Sequence, residues 1–163
     1  MTTSPAAGDT NLGLDNNARL ATVESLRSLL ADTYAVYGKT HGYHWNVQGA
    51  NFQALHALFE EQYREMWAAL DELAERMRAL GAFAPSNSAS LLEGSPIDPA
   101  GDAPLASDRM VADLLGDQET LIRRARTALA TAEEAGDAAS ADLITVRIQT
   151  HEKMAWMLRA TAG

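Results

Sequence analysis

Between residues 44 and 75 the chain reads "HWNVQGANFQALHALFEEQYREMWAALDELAE", with His44 and His56 twelve apart, Glu60 four after His56, and Asp71 and Glu75 again four apart. Imidazole and carboxylate in this density suit a transition metal, iron, zinc or manganese, and ligand type alone does not choose among them. The chain has no cysteine, so any metal must be held by nitrogen and oxygen. Residues four apart on a helix share a face, which makes His56 with Glu60, and Asp71 with Glu75, two half-sites.

The two halves cannot meet within one straight helix. Fifteen residues separate His56 from Asp71, about 22 Å along a helix axis, whereas metal–ligand bonds are about 2 Å. His44 lies near His56 only if the chain turns between them, and it is then far from Asp71 and Glu75. A two-fold axis crossing the helix near its middle would set the His44, His56 and Glu60 end of one chain against the Asp71 and Glu75 end of another. The expected site is therefore between subunits. A carboxylate di-iron centre within one bundle carries Glu-x-x-His on two helices. Here Gln53 precedes His56 and Ile148 precedes His151 at that spacing, which disfavours an intrachain centre.

These residues need long helices to position them, and the periodicity supplies four. From Asn17 to about Val47, Val23, Leu30, Tyr37 and His44 form a seven-residue row beside Leu26, Tyr34 and His41. From Asn51, a plausible N-cap, to Leu80, Phe52, Phe59, Met66, Leu73 and Leu80 form one row and His56, Tyr63, Leu70 and Met77 another. Gly81 is placed to stop this helix. On a helical wheel Glu60, Trp67, Asp71 and Glu75 share one flank, with His56 at its edge; an acidic flank that also carries a tryptophan suggests a covered face. The stretch "AFAPSNSASLLEGSPIDPAGDAPLAS" reads as a long crossover with one short helical run at Ala89 to Leu92. Ser107 or Asp108 could cap the third long helix, and Gly136 with Asp137 marks the connection to the fourth, which carries Leu143, Ile144, Ile148, His151, Met154 and Leu158. Two helical hairpins joined by a long crossover define an all-α fold, a ferritin-like four-helix bundle with a short helix between helices two and three.

At 163 residues one domain is expected, a bundle over residues 16–163 behind a flexible polar tail over residues 1–15. With 22 acidic and 13 basic residues the formal charge is -9, which opposes a polyanion and favours cations. The N-terminus lacks the basic start and apolar core of a secretion signal, and no apolar run reaches the ~18 residues of a membrane span, so a soluble cytoplasmic protein is expected. The same side chains also have plainer readings. Acid pairs four apart usually form a solvated face; His41 and His151 would hydrogen-bond in or near the core; Tyr34, Tyr37, Trp45 and Trp67 would pack; Arg123 and Arg124 would be solvated.

The segments "HWNVQGANFQALHALFE" and "DELAERMRALG", with weaker likeness at "HEKMAWMLRA", resemble the Dps proteins, the starvation-induced miniferritins. The resemblance covers nearly the whole chain after the tail. It implies a hollow homododecamer with an iron ferroxidase centre at each two-fold interface. His44, His56 and Glu60 would come from one subunit, Asp71 and Glu75 from the other, with Trp45 beside the centre to quench oxidising radicals. Many relatives have Asp where this chain has Glu60; the charge is kept and the bridging geometry is longer. The implied reaction is oxidation of Fe(II), preferentially by hydrogen peroxide, with storage of ferric mineral in the shell. Asp137 and Asp142 resemble, more loosely, the acidic residues of an iron pore on the three-fold axes. The alternative the resemblance carries is a nucleoid-associated, DNA-binding protein with iron secondary. This chain departs from that pattern, because Arg19 is its first basic residue and the C-terminus ends "LRATAG".

Overall fold

A computed structural model describes residues 10–103 and 105–162, so most of the expected tail lies outside the described residues. Five helices follow one another: α1 (Asn16–Asn46), α2 (Phe52–Ala79), α3 (Ser88–Leu92), α4 (Ser107–Glu134) and α5 (Ala138–Ala162). No strand occurs among the described residues.

The helix ends follow local chemistry. Asp15 caps α1, its carboxylate accepting from the backbone N–H groups of Asn17 and Ala18 at 2.9 and 3.1 Å. Gly81, at φ 86°, closes α2 with paired bonds from Gly81 N to Arg78 O and from Ala82 N to Met77 O. Gly136, at φ 68°, ends α4 in the same pattern. Both positions need the left-handed conformation that a side chain disfavours. Two expected caps differ. Asn51 precedes α2 without a side-chain bond, and α4 is preceded by Ala106, so Ser107 and Asp108 fall inside its first turn.

The ion pairs establish direction. Lys39, near the end of α1, pairs with Asp113 and Asp117 near the start of α4, while Asp32 pairs with Arg124 further along. On α2, Glu65 meets Arg147 and Arg76 meets Asp137 and Ser140 of the α5 end. Hence α1 runs antiparallel to α4, and α2 to α5. With each hairpin antiparallel as well, α2 and α4 point the same way, and the segment from Leu80 to Ala106 must travel the length of the bundle, about 40 Å for a 28-residue helix.

The crossover is held by cations as well as by apolar contact. Arg19 donates to Leu80 O, Arg27 to Phe83 O, and Arg124 to Gly94 O while it pairs with the fully buried Asp32. Burial raises the Asp32 pKa above the usual carboxylate range, opposed by bonds from Ser95 and Arg124. Arg124 is therefore a tie across the bundle and not the solvated side chain expected, because Asp32 sits one helix away at the matching level.

Aliphatic residues fill the interior. Phe59, Met66, Leu73 and Leu80 of the predicted α2 row are fully buried, whereas Phe52, on the first residue of α2, stays 44% exposed. Each large buried side chain contributes about 1.5–3 kcal/mol relative to exposure. Thr22, Thr33 and Thr40 enter the buried face of α1 because each hydroxyl donates to the carbonyl four residues back.

Candidate metal centre

The turn Val47–Asn51 folds α2 back along α1 and brings His44 and His56 together. Their rings stack at 3.7 Å between centroids, 23° from parallel. Each Nδ1 lies 2.9 Å from the other residue's main-chain oxygen, His44 to His56 O and His56 to His44 O. A carbonyl only accepts, so both Nδ1 atoms carry a proton, and in the neutral form of each ring Nε2 is the atom with the lone pair. This is the arrangement by which a protein orients imidazoles for a cation.

Glu60, one turn beyond His56, completes the cluster: one ligand atom from each of His44, His56 and Glu60 lies within 4.8 Å of the others. His44 is buried, and His56 and Glu60 are half-buried at the bundle edge. Glu60 also pairs with exposed Arg64 four residues on, a partner that spacing alone shows and that sequence reading passed over. Three donors are fewer than the six or so that iron or manganese takes in oxygen-rich sites, so the donor set fits such a metal but leaves it open.

Asp71 and Glu75 are exposed on α2, turned away from the core and along the helix from Glu60. The chain does not bring them to the histidines, and the axial distance of about 22 Å from His56 to Asp71 stands. Asp137 is 3% exposed: its carboxylate caps α5 by accepting from Ser140 N and Ser140 Oγ and pairs with Arg76 at 2.7 Å. Asp142, by contrast, is exposed.

An aromatic cluster borders the centre. His41 sits between Trp45, 4.2 Å away, and Tyr63, 4.0 Å away and nearly parallel. Tyr63 reaches Tyr37, which touches Trp67 and Tyr34. Burial, and then the neighbouring His44, lower the His41 pKa below the usual histidine range. Trp45 and Trp67 are 68% and 62% exposed, where packing was expected; each lies with one face against a ring of α1, His41 and Tyr37 respectively. Tyr37, Tyr63, Arg64 and Trp67 line an open cleft of about 450 Å³ on this flank.

The chain matches the ferritin-like domain over residues 23–163. It is 36% identical over 135 residues to a DNA protection during starvation protein from Brevibacillus brevis, covering 83% of this chain and 90% of that protein. Dps from Vibrio cholerae O1, described as a member of a broad superfamily of ferritin-like diiron-carboxylate proteins, superposes with a TM-score of 0.89 at 34% identity, covering 97% of this chain and 99% of that one. DpsC from Streptomyces coelicolor superposes with a TM-score of 0.94 at 26% identity, covering 100% of this chain and 95% of that one.

Proposed function

The chain belongs to the ferritin-like family, in its Dps branch, and from that premise we propose that it is a ferroxidase and iron store whose centre is completed between two subunits. The observation that carries this reading is the reciprocal bonding of His44 and His56, which occupies both Nδ1 atoms and leaves the Nε2 atoms without a main-chain bond, in a cluster with Glu60 whose ligand atoms lie within 4.8 Å of one another. Iron is the substrate. His44, His56 and Glu60 of one subunit bind it, and Asp71 and Glu75 of a two-fold partner supply the missing oxygen donors. Exposed Phe52 and Trp67, with the cleft that Trp67 lines beside Tyr37 and Tyr63, give that partner an apolar surface to cover.

Carboxylates favour Fe(III) over Fe(II), so a site richer in carboxylate once the partner joins promotes oxidation. Two Fe(II) ions each give up one electron, the O–O bond of hydrogen peroxide takes both, and hydrolysis of the Fe(III) releases protons as ferric mineral forms. Completion by the partner leads to a closed homo-oligomer, a dodecamer, with mineral in its hollow. At a formal charge of -9 the chain protects DNA by removing Fe(II) and peroxide and not by coating it. Of the two acids assigned to an iron pore, exposed Asp142 fits the role; Asp137 is held by Arg76 and Ser140. No helix among the described residues is long and apolar enough to cross a membrane, and a cytoplasmic setting completes the reading.

The test is anaerobic Fe(II) loading followed by peroxide addition, with sizing and iron analysis of the particle. An iron-loaded dodecamer is the expected product; a monomer that oxidises no iron would overturn the reading.

A further inference from the structure

The aromatic side chains on the α1–α2 flank are not core filler. The rings of Phe59, Tyr43 and His151 lie in the interior, whereas Tyr34, Tyr37, His41 and Tyr63 are half-buried and Trp45 and Trp67 largely exposed. They nevertheless form an unbroken series. Successive centroid distances are 4.2 Å for Trp45–His41, 4.0 Å for His41–Tyr63, 6.4 Å for Tyr63–Tyr37 and 5.5 Å for Tyr37–Trp67. His44 joins the series at 6.1 Å from His41 and 5.2 Å from Tyr63.

Within this series the tyrosines differ in where their protons can go. Oxidising a phenol by one electron releases its proton, so the hydroxyl needs a base within hydrogen-bond reach. Tyr63 lies against Arg64, whose guanidinium has no acceptor. Tyr34 reaches Ser88 at 3.5 Å, a hydroxyl and no base. Tyr37 lies 3.3 Å from His41 Nδ1, which accepts the phenol proton when the neutral ring carries its own proton on Nε2. Tyr43 also has a base, Asp113 at 2.6 Å, but packs with Val47, Leu55 and Phe59 in the apolar cluster.

We propose that Tyr37, hydrogen-bonded to His41, is the redox-active end of this aromatic series, drawing one-electron oxidising equivalents from the Trp45 side of the candidate centre and returning them to bound Fe(II). The inference rests on the ferroxidase reading: its oxidant is the hydroxyl radical, formed together with hydroxide and Fe(III) when peroxide meets a centre that holds one Fe(II) instead of the two of the paired reaction. That radical takes a hydrogen atom from the exposed Trp45 indole and becomes water. An electron then passes from Tyr37 to the Trp45 radical, which regains a proton from solvent, while the Tyr37 hydroxyl proton moves to His41 Nδ1. Bound Fe(II) next reduces the Tyr37 radical, becoming Fe(III), and His41 returns the proton. The sum is hydroxyl radical, Fe(II) and a proton giving water and Fe(III). Tyr37 thereby turns a damaging radical into a further oxidation of iron.

The electron path can be tested without iron. The metal-free assembled protein is oxidised with azide radicals in pulse radiolysis, and the tryptophanyl absorption is followed as it gives way to that of tyrosyl. Wild-type protein is expected to make this conversion by a concentration-independent step that slows in D2O. Tyr37→Phe should lose it, His41→Phe, which keeps a ring but no base, should slow it and remove the D2O effect, and Tyr34→Phe should leave it intact. Sizing and circular dichroism establish that each variant is assembled and helical. Undiminished conversion in Tyr37→Phe overturns the proposal, as does equal loss in Tyr34→Phe. In the iron arm, freeze-quenched samples of Fe(II)-loaded protein and peroxide should show a tyrosyl signal in wild type that is absent in Tyr37→Phe. A wild type that converts the radical without iron yet never oxidises Fe(II) overturns the proposed function and the return of the electron to iron, and leaves Tyr37 as the end of the series.

Discussion

Two histidine-bearing regions of this bundle hold similar groups in different surroundings, and the surroundings set what each group is able to do. At the hairpin end, His44 and His56 spend Nδ1 on main-chain oxygens and cluster with Glu60 at the bundle edge. At mid-bundle, His151 bonds Gln118 Oε1 at 2.7 Å, and Gln118 directs its amide toward the sulfurs of Met154 and Met66. His151 is fully buried, and its Nε2 has no hydrogen-bond partner among the described residues. Burial, and then Arg147, lower its pKa to about 3. An imidazole becomes a ligand where a carboxylate and access accompany it. Shut among an amide, thioethers and alkyl groups, it is a core residue.

The strongest way to break this contrast is to exchange the roles by mutation. His44→Leu with His56→Leu should abolish most peroxide-driven Fe(II) oxidation, read by stopped-flow absorbance, while the particle still assembles. Wild-type rates in that variant would sink the site assignment. The same double change costs roughly two net hydrogen bonds, about 1–3 kcal/mol, so its melting temperature should fall only modestly.

His151→Ala should show the converse. It opens a cavity and strands the Gln118 amide, for a loss of about 2–4 kcal/mol in thermal or denaturant unfolding, with initial iron oxidation unchanged. A slowed oxidation step with normal stability would instead place His151 in the chemistry.

The pH response sharpens the contrast further. Between pH 6.5 and about 3 the unfolded chain protonates His151 and the folded chain does not. The unfolded state therefore binds more protons, and wild-type stability falls as pH drops through that window, by at most about 1.4 kcal/mol per pH unit from this one group. In His151→Leu that contribution to the dependence of melting temperature on pH should vanish. An identical slope in both proteins would show that the buried ring is not the source.

The smallest expected effect is at Arg64. Its exposed pair with Glu60 competes with a metal for the carboxylate, so Arg64→Ala should strengthen Fe(II) binding at the centre by no more than about twofold in a titration. A large loss of binding would give Arg64 a positioning role.

Much of this architecture is legible in the sequence because it depends on period and punctuation. The heptad rows mark the helix faces, Gly81 and Gly136 mark the ends, and the proline-rich stretch after Phe83 marks the crossover. Less legible were the ties between elements distant in sequence. Asp32 with Arg124 is separated by 92 residues and Lys39 with Asp117 by more than seventy, and no local pattern pairs them. Tryptophan was misleading for a related reason. Apolar character alone had Trp45 and Trp67 pack, while the helix phase leaves them on the outer flank, largely exposed and with one face against His41 and Tyr37 respectively.

The sequence by itself determined the donor types, their one-turn pairing on a helix and the axial separation that keeps Asp71 from His56, because these follow from residue identity and a fixed rise per residue. Only the tertiary structure decided which ring nitrogens face the centre, which aromatic rings touch, and that Tyr37 rather than Tyr34 or Tyr63 meets a base. Those outcomes depend on how α2 lies against α1 to within a hydrogen-bond length, and a periodicity of 3.6 residues does not specify distance at that scale.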